Sequence, residues 1–217
     1  MSTPVQLSFI VLGNPGTGKS SIMNALAGDA LFESGLPISF GHGLTYNLNK
    51  LGRNGIEYID TPGLADKLLR ERAARDISDE LKKGGHYKIL FVIRQQYGRP
   101  VEEDITTAKL ILEAAPEIKS NFGIIINMVP SKITKLFREN EETAFDYKVF
   151  LLKNLAYTTH MFFMERLDDL EGEKNKEYQY SIVRDWVQYP LKDPTSFLKV
   201  NWNPFVEFVK SRQIIKE

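Results

Sequence analysis

A glycine-rich segment near the start of the chain holds the residues with the clearest chemical role. Residues 13–20 read GNPGTGKS and match the pattern G-x-x-x-x-G-K-[ST] at every required position. Glycines let the backbone curl so that successive N–H groups point at phosphate oxygens, and a following helix adds the positive end of its dipole. The segment therefore predicts a phosphate-binding loop (P-loop) for a nucleotide, formed by Gly13, Asn14, Pro15, Gly16, Thr17, Gly18, Lys19, Ser20 and Ser21.

Two side chains of this loop have separate predicted tasks. Lys19 is predicted to reach the β- and γ-phosphates and so to act in catalysis, whereas the Ser20 hydroxyl is predicted to bind Mg²⁺. Both tasks need a strand before the loop and a helix after it. The apolar run at residues 6–12 predicts that strand, and the spacing of residues 20–27 predicts the helix.

A second segment whose residues could take part in chemistry lies at residues 59–64, which read IDTPGL. Asp60 ends a predicted strand, where its carboxylate can hold a water on Mg²⁺. The amide of Gly63 is predicted to sense the γ-phosphate and to move when that phosphate leaves, which is an order–disorder switch. Asp60 is therefore assigned to the metal and nucleotide sites, and Gly63 to the nucleotide and catalysis.

Thr45 lies between these two elements and allows two interpretations. As a switch I threonine it would donate its hydroxyl to Mg²⁺ and its amide to the γ-phosphate, a metal-binding and catalytic role. As a strand residue it would serve through its β-branch. The switch interpretation is favoured because the preceding segment, residues 35–43, is long and rich in glycine.

Alternating strands and helices predict the architecture around these residues. We expect an α/β, three-layer P-loop NTPase fold with a mostly parallel central sheet, one antiparallel edge strand and helices on both faces. The predicted strands are 6–12, 44–51, 56–59, 87–93, 122–129 and 160–163, and the predicted helices are 20–27, 66–83, 101–115, 141–155 and 197–213. One domain is expected over residues 1–217, with an exposed insertion at 165–190 and a C-terminal helical segment at 191–217.

The composition limits the classes of partner and the cellular compartment that we expect for this protein. Lys plus Arg and Asp plus Glu each number 28, and this balance argues against a general nucleic-acid binder, which needs a net basic face. The chain has no cysteine, which excludes disulfides and thiolate metal sites and suits a reducing compartment. No signal peptide or membrane-spanning run is visible, so we expect a soluble cytoplasmic protein.

Two further stretches carry a family resemblance. Residues 54–66 read NGIEYIDTPGLAD, and residues 98–104 read GRPVEED after a buried strand. With the P-loop, they make residues 5–130 resemble the immunity-associated (GIMAP-like, avirulence-induced) branch of the septin-related GTPases. That resemblance implies binding of GTP or GDP with Mg²⁺, slow GTP hydrolysis, and a homodimer or oligomer formed through the nucleotide face. Members often act at membranes, although this chain shows no anchor.

The base-reading segment departs from the GTPase pattern. GTPases normally read guanine with Asn-Lys-x-Asp, whose Asp pairs with the N1 and N2 hydrogens of the base. Here Asn127 fits the first place, but Met128 stands at the Lys place and Pro130 at the Asp place. Asn127 is predicted to contact the nucleotide, while the choice between guanine and adenine stays open.

A second departure concerns hydrolysis. Leu64 stands where many GTPases carry a glutamine that orients the attacking water, and no arginine of the chain is an obvious substitute. We therefore expect slow intrinsic turnover that is raised by dimerisation or by a partner. Two alternatives remain: a nucleotide-regulated scaffold that hardly hydrolyses, or a P-loop ATPase. The Thr-Pro-Gly after Asp60 favours the GTPase-type switch.

Overall fold

The structure, a computed structural model, describes residues 7–27, 29, 31–34, 45–53, 55–64, 70–83, 85–114, 118, 122–155 and 161–166. Residues 35–44, which hold most of the loop before Thr45, lie outside this set. Most of the predicted insertion at 165–190 and all of the segment at 191–217 also lie outside it, so these assignments stay predictions.

A seven-stranded sheet forms the centre of the molecule. Its strands are β1 (Leu7–Leu12), β2 (Asn49–Arg53), β3 (Ile56–Asp60), β4 (His86–Gln96), β5 (Arg99–Pro100), β6 (Phe122–Val129) and β7 (Met161–Glu165). The main strand order is β2-β3-β1-β4-β6-β7, and the short β5 pairs with β4. Along this order the pairs are parallel except β2–β3, which is antiparallel and lies at the sheet edge. The predicted fold class is confirmed.

The described helices lie between the strands along the chain. They are α1 (Lys19–Ala27), α2 (Arg70–Lys82), α3 (Glu102–Ala114), α4 (Ser131–Glu139) and α5 (Glu141–Asn154). Acidic residues fill the first turn of α3, where they oppose the positive end of the helix dipole.

Two hydrophobic cores lie on opposite faces of the sheet, because successive strand side chains point to opposite sides. In β1, Ile10 and Leu12 face one core, while Phe9 and Val11 face the other. The first core also receives buried residues of α2, α3 and α5, and the second receives those of α1. This arrangement gives the three layers that alternation of the elements predicts.

The topology gathers the predicted site residues at one edge of the sheet. The P-loop follows β1, Asp60 ends β3, and Asn127 lies near the end of β6. Since β1 lies between β3 and β4, and β6 borders β4 on the other side, the carboxyl ends of these parallel strands are neighbours. Ligands of open α/β sheets bind in crevices at this edge.

The edge strand begins later than the alternation of residues 44–51 predicts. β2 starts at Asn49, whose register partner is Asp60, the last residue of β3. Residues 45–48 therefore have no strand opposite them, and Thr45 is not a strand residue. The strand interpretation of this threonine is wrong.

Helix α4 was not expected, since Pro130 and Ser131 read as a loop. Pro130 instead occupies the N-cap position, where its missing N–H carries no penalty and its carbonyl accepts from Ile133 N at 2.8 Å and Thr134 N at 3.0 Å. The helix packs through Phe137, whose ring lies 5.2 Å from Tyr147 and 4.9 Å from Phe163 between centroids.

Candidate functional site

The P-loop backbone packs too closely against its surroundings to accept side chains at two of its glycines. A Cβ on Gly18, whose φ is +87°, would lie 2.5 Å from Asn127 Nδ2. A Cβ on Gly13 would lie 2.7 Å from the carbonyl oxygen of Val92 on β4. The loop is thus held between β1, β4 and β6 with its backbone in the curled shape that the motif predicts.

Lys19 lies at the first position of α1 and is buried, with 6% of its surface exposed. Its Nζ donates to the carbonyl oxygen of Asn14 at 3.0 Å, within the loop itself. Burial lowers the pKa of the Lys19 ammonium to about 8, against the opposing effect of the Asp60 and Asp104 carboxylates. The structure therefore places the predicted phosphate-binding cation inside the curl of the P-loop.

Three oxygen-bearing side chains from separate segments meet beside this lysine. Ser20 Oγ donates to Asp60 Oδ2 at 2.6 Å, Thr45 Oγ1 donates to the same oxygen at 3.0 Å, and the two hydroxyl oxygens are 3.2 Å apart. The second carboxylate oxygen, Oδ1 of Asp60, is buried and has no hydrogen-bond partner among the described residues. Burial raises the pKa of the Asp60 carboxyl, while the Lys19 ammonium opposes this shift.

This set of groups fits a magnesium ion. Mg²⁺ prefers hard oxygen ligands, keeps several waters, and in nucleotide sites is held by one or two protein groups plus phosphate oxygens. Two hydroxyls and one carboxylate with a free buried oxygen supply that chemistry. The three residues predicted for the metal, Ser20, Thr45 and Asp60, are the three that the fold brings together.

The segment after Asp60 lies directly on the P-loop. A Cβ on Gly63 would lie 2.4 Å from the ring carbons of Pro15, so the two loops approach as closely as a glycine allows. Thr61 Oγ1 donates to the carbonyl oxygen of Val11 at 2.6 Å, which fixes the segment to β1. Leu64 is 5% exposed, and its side chain lies in the core rather than toward the site.

The base-reading segment is less regular. Asn127 Nδ2 donates to the carbonyl oxygen of Thr17 at 2.8 Å, so this side chain holds the P-loop. Met128 has φ of +61°, which is uncommon for a residue other than glycine, and the β6–β7 register shifts between Ile126 and Val129. Residues 127–132 contain no carboxylate. The segment therefore supports the P-loop but offers no acidic acceptor of its own to a base.

Three residues behind the P-loop were not predicted. Asp104 of α3 is 2% exposed and contacts both Arg94 of β4 and the side chain of Asn14, and Thr107 contacts the same asparagine. In the sequence, Asp104 is one of three acids at a helix start, which the helix dipole already explains. The spacing of Asp104 and Thr107, one turn apart on α3, was the available signal.

Comparison with known proteins identifies a family for this chain. Residues 8–128, more than half of the chain, match the model of the family described as 50S ribosome-binding GTPase. The chain belongs to this family. It is accordingly a P-loop GTPase, whose ligands are a guanine nucleotide and Mg²⁺ and whose general activity is GTP hydrolysis. The ATPase alternative is not supported.

Solved structures with the same fold include two GTPases. Toc33 from Arabidopsis thaliana, in complex with GDP and Mg²⁺, is 18% identical over 95% of this chain and 85% of that chain, with a TM-score of 0.52. Era, in complex with MgGDPNP and a segment of 16S ribosomal RNA, is 17% identical over 88% of this chain and 59% of that chain, with a TM-score of 0.51. At these identities the likeness concerns the fold.

A third match concerns the chloroplast translocon components atToc33 and psToc159, with 18% identity over 86% of this chain and 84% of that chain and a TM-score of 0.51. Dimerization is important for the GTPase activity of those proteins. In the described ranges of the present chain, none of the helices combines the length and apolarity needed to cross a bilayer.

Proposed function

We propose that this GTPase is a nucleotide-dependent switch with slow intrinsic turnover that self-associates according to its nucleotide state. The observation that carries the proposal is the convergence of Ser20, Thr45 and Asp60 on one point beside the buried Lys19. Thr45 belongs to a segment outside the sheet, so its position can depend on what is bound at that point.

In this proposal each residue has a stated task. The P-loop amides and Lys19 bind the phosphates, and Ser20, Thr45 and Asp60 hold the metal. Mg²⁺ supplies charge neutralisation on the phosphate oxygens when it is bound. Gly63, which lies close against Pro15 of the P-loop, is proposed to donate its amide to the γ-phosphate. Loss of that phosphate would release the segments of Thr45 and Gly63, which is the switch.

Slow turnover follows from the position of Leu64. Its side chain is apolar and lies in the core, so it cannot orient an attacking water. Two arginines of α2 with described side chains, Arg72 and Arg75, pair with Asp76 and Glu71 on the exposed helix surface. An arginine that reaches the transition state accelerates such reactions by about 10³–10⁵-fold, so a site without one among the described residues is proposed to have a slow basal rate.

Self-association would complete the site. Dimerization matters for GTPase activity in the atToc33 and psToc159 proteins, which share the fold. In the present chain, a second copy docking on the nucleotide face could supply the missing groups. The proposal includes the finer GIMAP-like affiliation, a cytoplasmic location and association with a membrane surface.

The test is GTP turnover measured over a wide range of protein concentration, with the oligomeric state followed by light scattering in GDP and in a non-hydrolysable GTP analogue. We expect the rate per molecule to rise with concentration as a dimer forms in the GTP-like state. Self-association would be contradicted if the protein stayed monomeric with both nucleotides over the whole concentration range and the rate per molecule stayed constant.

A second candidate function is a nucleotide-regulated scaffold with little hydrolysis, which the buried Leu64 also favours. The same measurement separates the two candidates. Tight binding of both nucleotides with no turnover at any concentration, while assembly still follows the nucleotide, would establish the scaffold.

A further inference from the structure

An ion pair links β4 to α3 behind the P-loop. Arg94 Nε and Nη2 donate to Asp104 Oδ2 and Oδ1, each at 2.9 Å, and the Arg94 backbone N–H donates to Oδ2 at 2.9 Å. The Asp104 side chain is 0% exposed, while that of Arg94 is 21% exposed. A bidentate pair of this kind is geometrically specific as well as strong.

The carboxylate of this pair also binds the second residue of the P-loop. Asn14 Nδ2 donates to Asp104 Oδ1 at 2.8 Å. On its other side, the Asn14 amide oxygen lies 2.9 Å from Thr107 Oγ1, whose single proton has two acceptors in reach: this oxygen and the Glu103 carbonyl oxygen at 3.0 Å. Asn14 is 1% exposed, so its amide is held between an acceptor and a donor that both belong to α3.

The backbone of Asn14 then organises the rest of the loop. Its carbonyl oxygen accepts from Lys19 Nζ at 3.0 Å, from Thr17 Oγ1 at 3.0 Å and from Thr17 N at 3.4 Å. The side chain of Asn14 is therefore fixed from behind, while its carbonyl holds the cation and the turn in front. A continuous set of hydrogen bonds runs from α3 to Lys19.

We propose that Asp104, oriented by Arg94, and Thr107 are positioning residues that set nucleotide affinity by fixing the P-loop at Asn14. This inference rests on the proposed nucleotide site and adds three residues to it, none of which is assigned to the phosphates. The competing account is a clasp between β4 and α3 that stabilises the fold and leaves the P-loop unaffected.

The first test uses Thr107, where a mild change removes one contact. Thr107→Val deletes the hydroxyl and keeps the shape, and Thr107→Ser restores the hydroxyl. We expect Thr107→Val to weaken Mg-GDP binding by about tenfold, because a buried amide oxygen loses its donor. Thr107→Ser should stay within about twofold of wild type. Dissociation rates of a fluorescent GDP analogue provide the measurement.

The second test uses the carboxylate, with a matched control in the same helix turn. Asp104→Asn keeps an oxygen acceptor but removes the charge that holds Arg94, and it should weaken binding more than Thr107→Val does. Glu102→Gln removes a charge from an exposed neighbour and should bind as wild type. Binding is measured at a temperature well below the midpoint of thermal unfolding of every variant, so that the folded fraction is the same in all of them.

Amide hydrogen exchange over residues 13–18 of the nucleotide-free protein gives a readout independent of binding. We expect faster exchange there in Thr107→Val and Asp104→Asn, with unchanged exchange in β6. Wild-type exchange in both variants, or wild-type GDP affinity in both, would overturn the inference in favour of the clasp. Failure of the wild-type protein to bind GDP would instead refute the proposed function, and exchange would still decide the positioning role.

Discussion

The two ends of the nucleotide site differ in how they are built. At the phosphate end, the P-loop, Asp60 and Thr45 are joined by short hydrogen bonds and by glycines in close contact with neighbouring backbone or side chains. At the base end, the last residues of β6 include a left-handed Met128 and a shifted register, and Pro130 follows where a carboxylate is expected.

This difference shows that the two ends have different physical requirements. Phosphate binding uses backbone N–H groups and one cation, so it demands a loop shape that only certain residues permit. Base recognition uses individual side-chain acceptors, which another loop can replace without changing the fold. The residue types that phosphate binding needs are therefore kept at the phosphate end. The residues that select the base can vary at the other end.

The largest expected effect is at the phosphate end. Lys19→Ala removes a buried ammonium and should weaken GTP and GDP binding by about 100-fold, since a hydrogen bond to a charged group contributes about 1.5–3 kcal/mol. Lys135→Ala, which removes an exposed lysine of α4, is the control and should bind normally. Equal binding by Lys19→Ala and wild type would show that the loop is not the phosphate site.

A second substitution tests the contact between the two phosphate-side loops. Gly63→Ala places a methyl group 2.4 Å from the Pro15 ring, so the segment must move away from the P-loop. We expect GTP affinity to fall by about tenfold and GDP affinity to change little, because only GTP carries the γ-phosphate that Gly63 is proposed to contact. In Gly52→Ala the nearest atom is 4.0 Å away, and this control should leave both affinities unchanged. Equal losses for GTP and GDP would contradict the γ-phosphate role.

At the base end, a gain is expected instead of a loss. Pro130→Asp restores the missing acceptor at an N-cap position, which aspartate favours, so α4 should tolerate it. The preference for GDP over IDP, which lacks the 2-amino group, should rise by about tenfold. Pro130→Asn, an equally good N-cap without the charge, is the matched control. A strong preference for GDP in wild type that Pro130→Asp reduces would show that another residue reads the 2-amino group.

The smallest expected effect concerns the backbone at Met128. Met128→Gly relieves a positive φ and loses side-chain contacts, so stability in urea should change by less than about 1 kcal/mol. Met128→Val introduces a β-branched residue at the same φ and should cost about 1–2 kcal/mol. A loss above about 2 kcal/mol in the glycine variant would mean that Met128 packs as a core residue.

The phosphate end could be predicted from sequence because its requirements are local. The strand 122–129 and the P-loop were predicted because a buried apolar run and a glycine pattern depend on adjacent residues. Helix α4 was missed because its mostly polar nine-residue sequence directly follows a proline and is held by aromatic contacts from other elements. The contact of Asp104 with Asn14 joins residues 90 positions apart, which no local pattern indicates.

The most direct test of the guanine switch is calorimetric titration of nucleotide-free protein with GTP, GDP and ATP in Mg²⁺. We predict tight binding of GTP and GDP with no measurable binding of ATP, which requires a base contact that replaces the carboxylate missing at Pro130. ATP binding as tight as that of GTP would contradict the account, although the P-loop and its fold would remain.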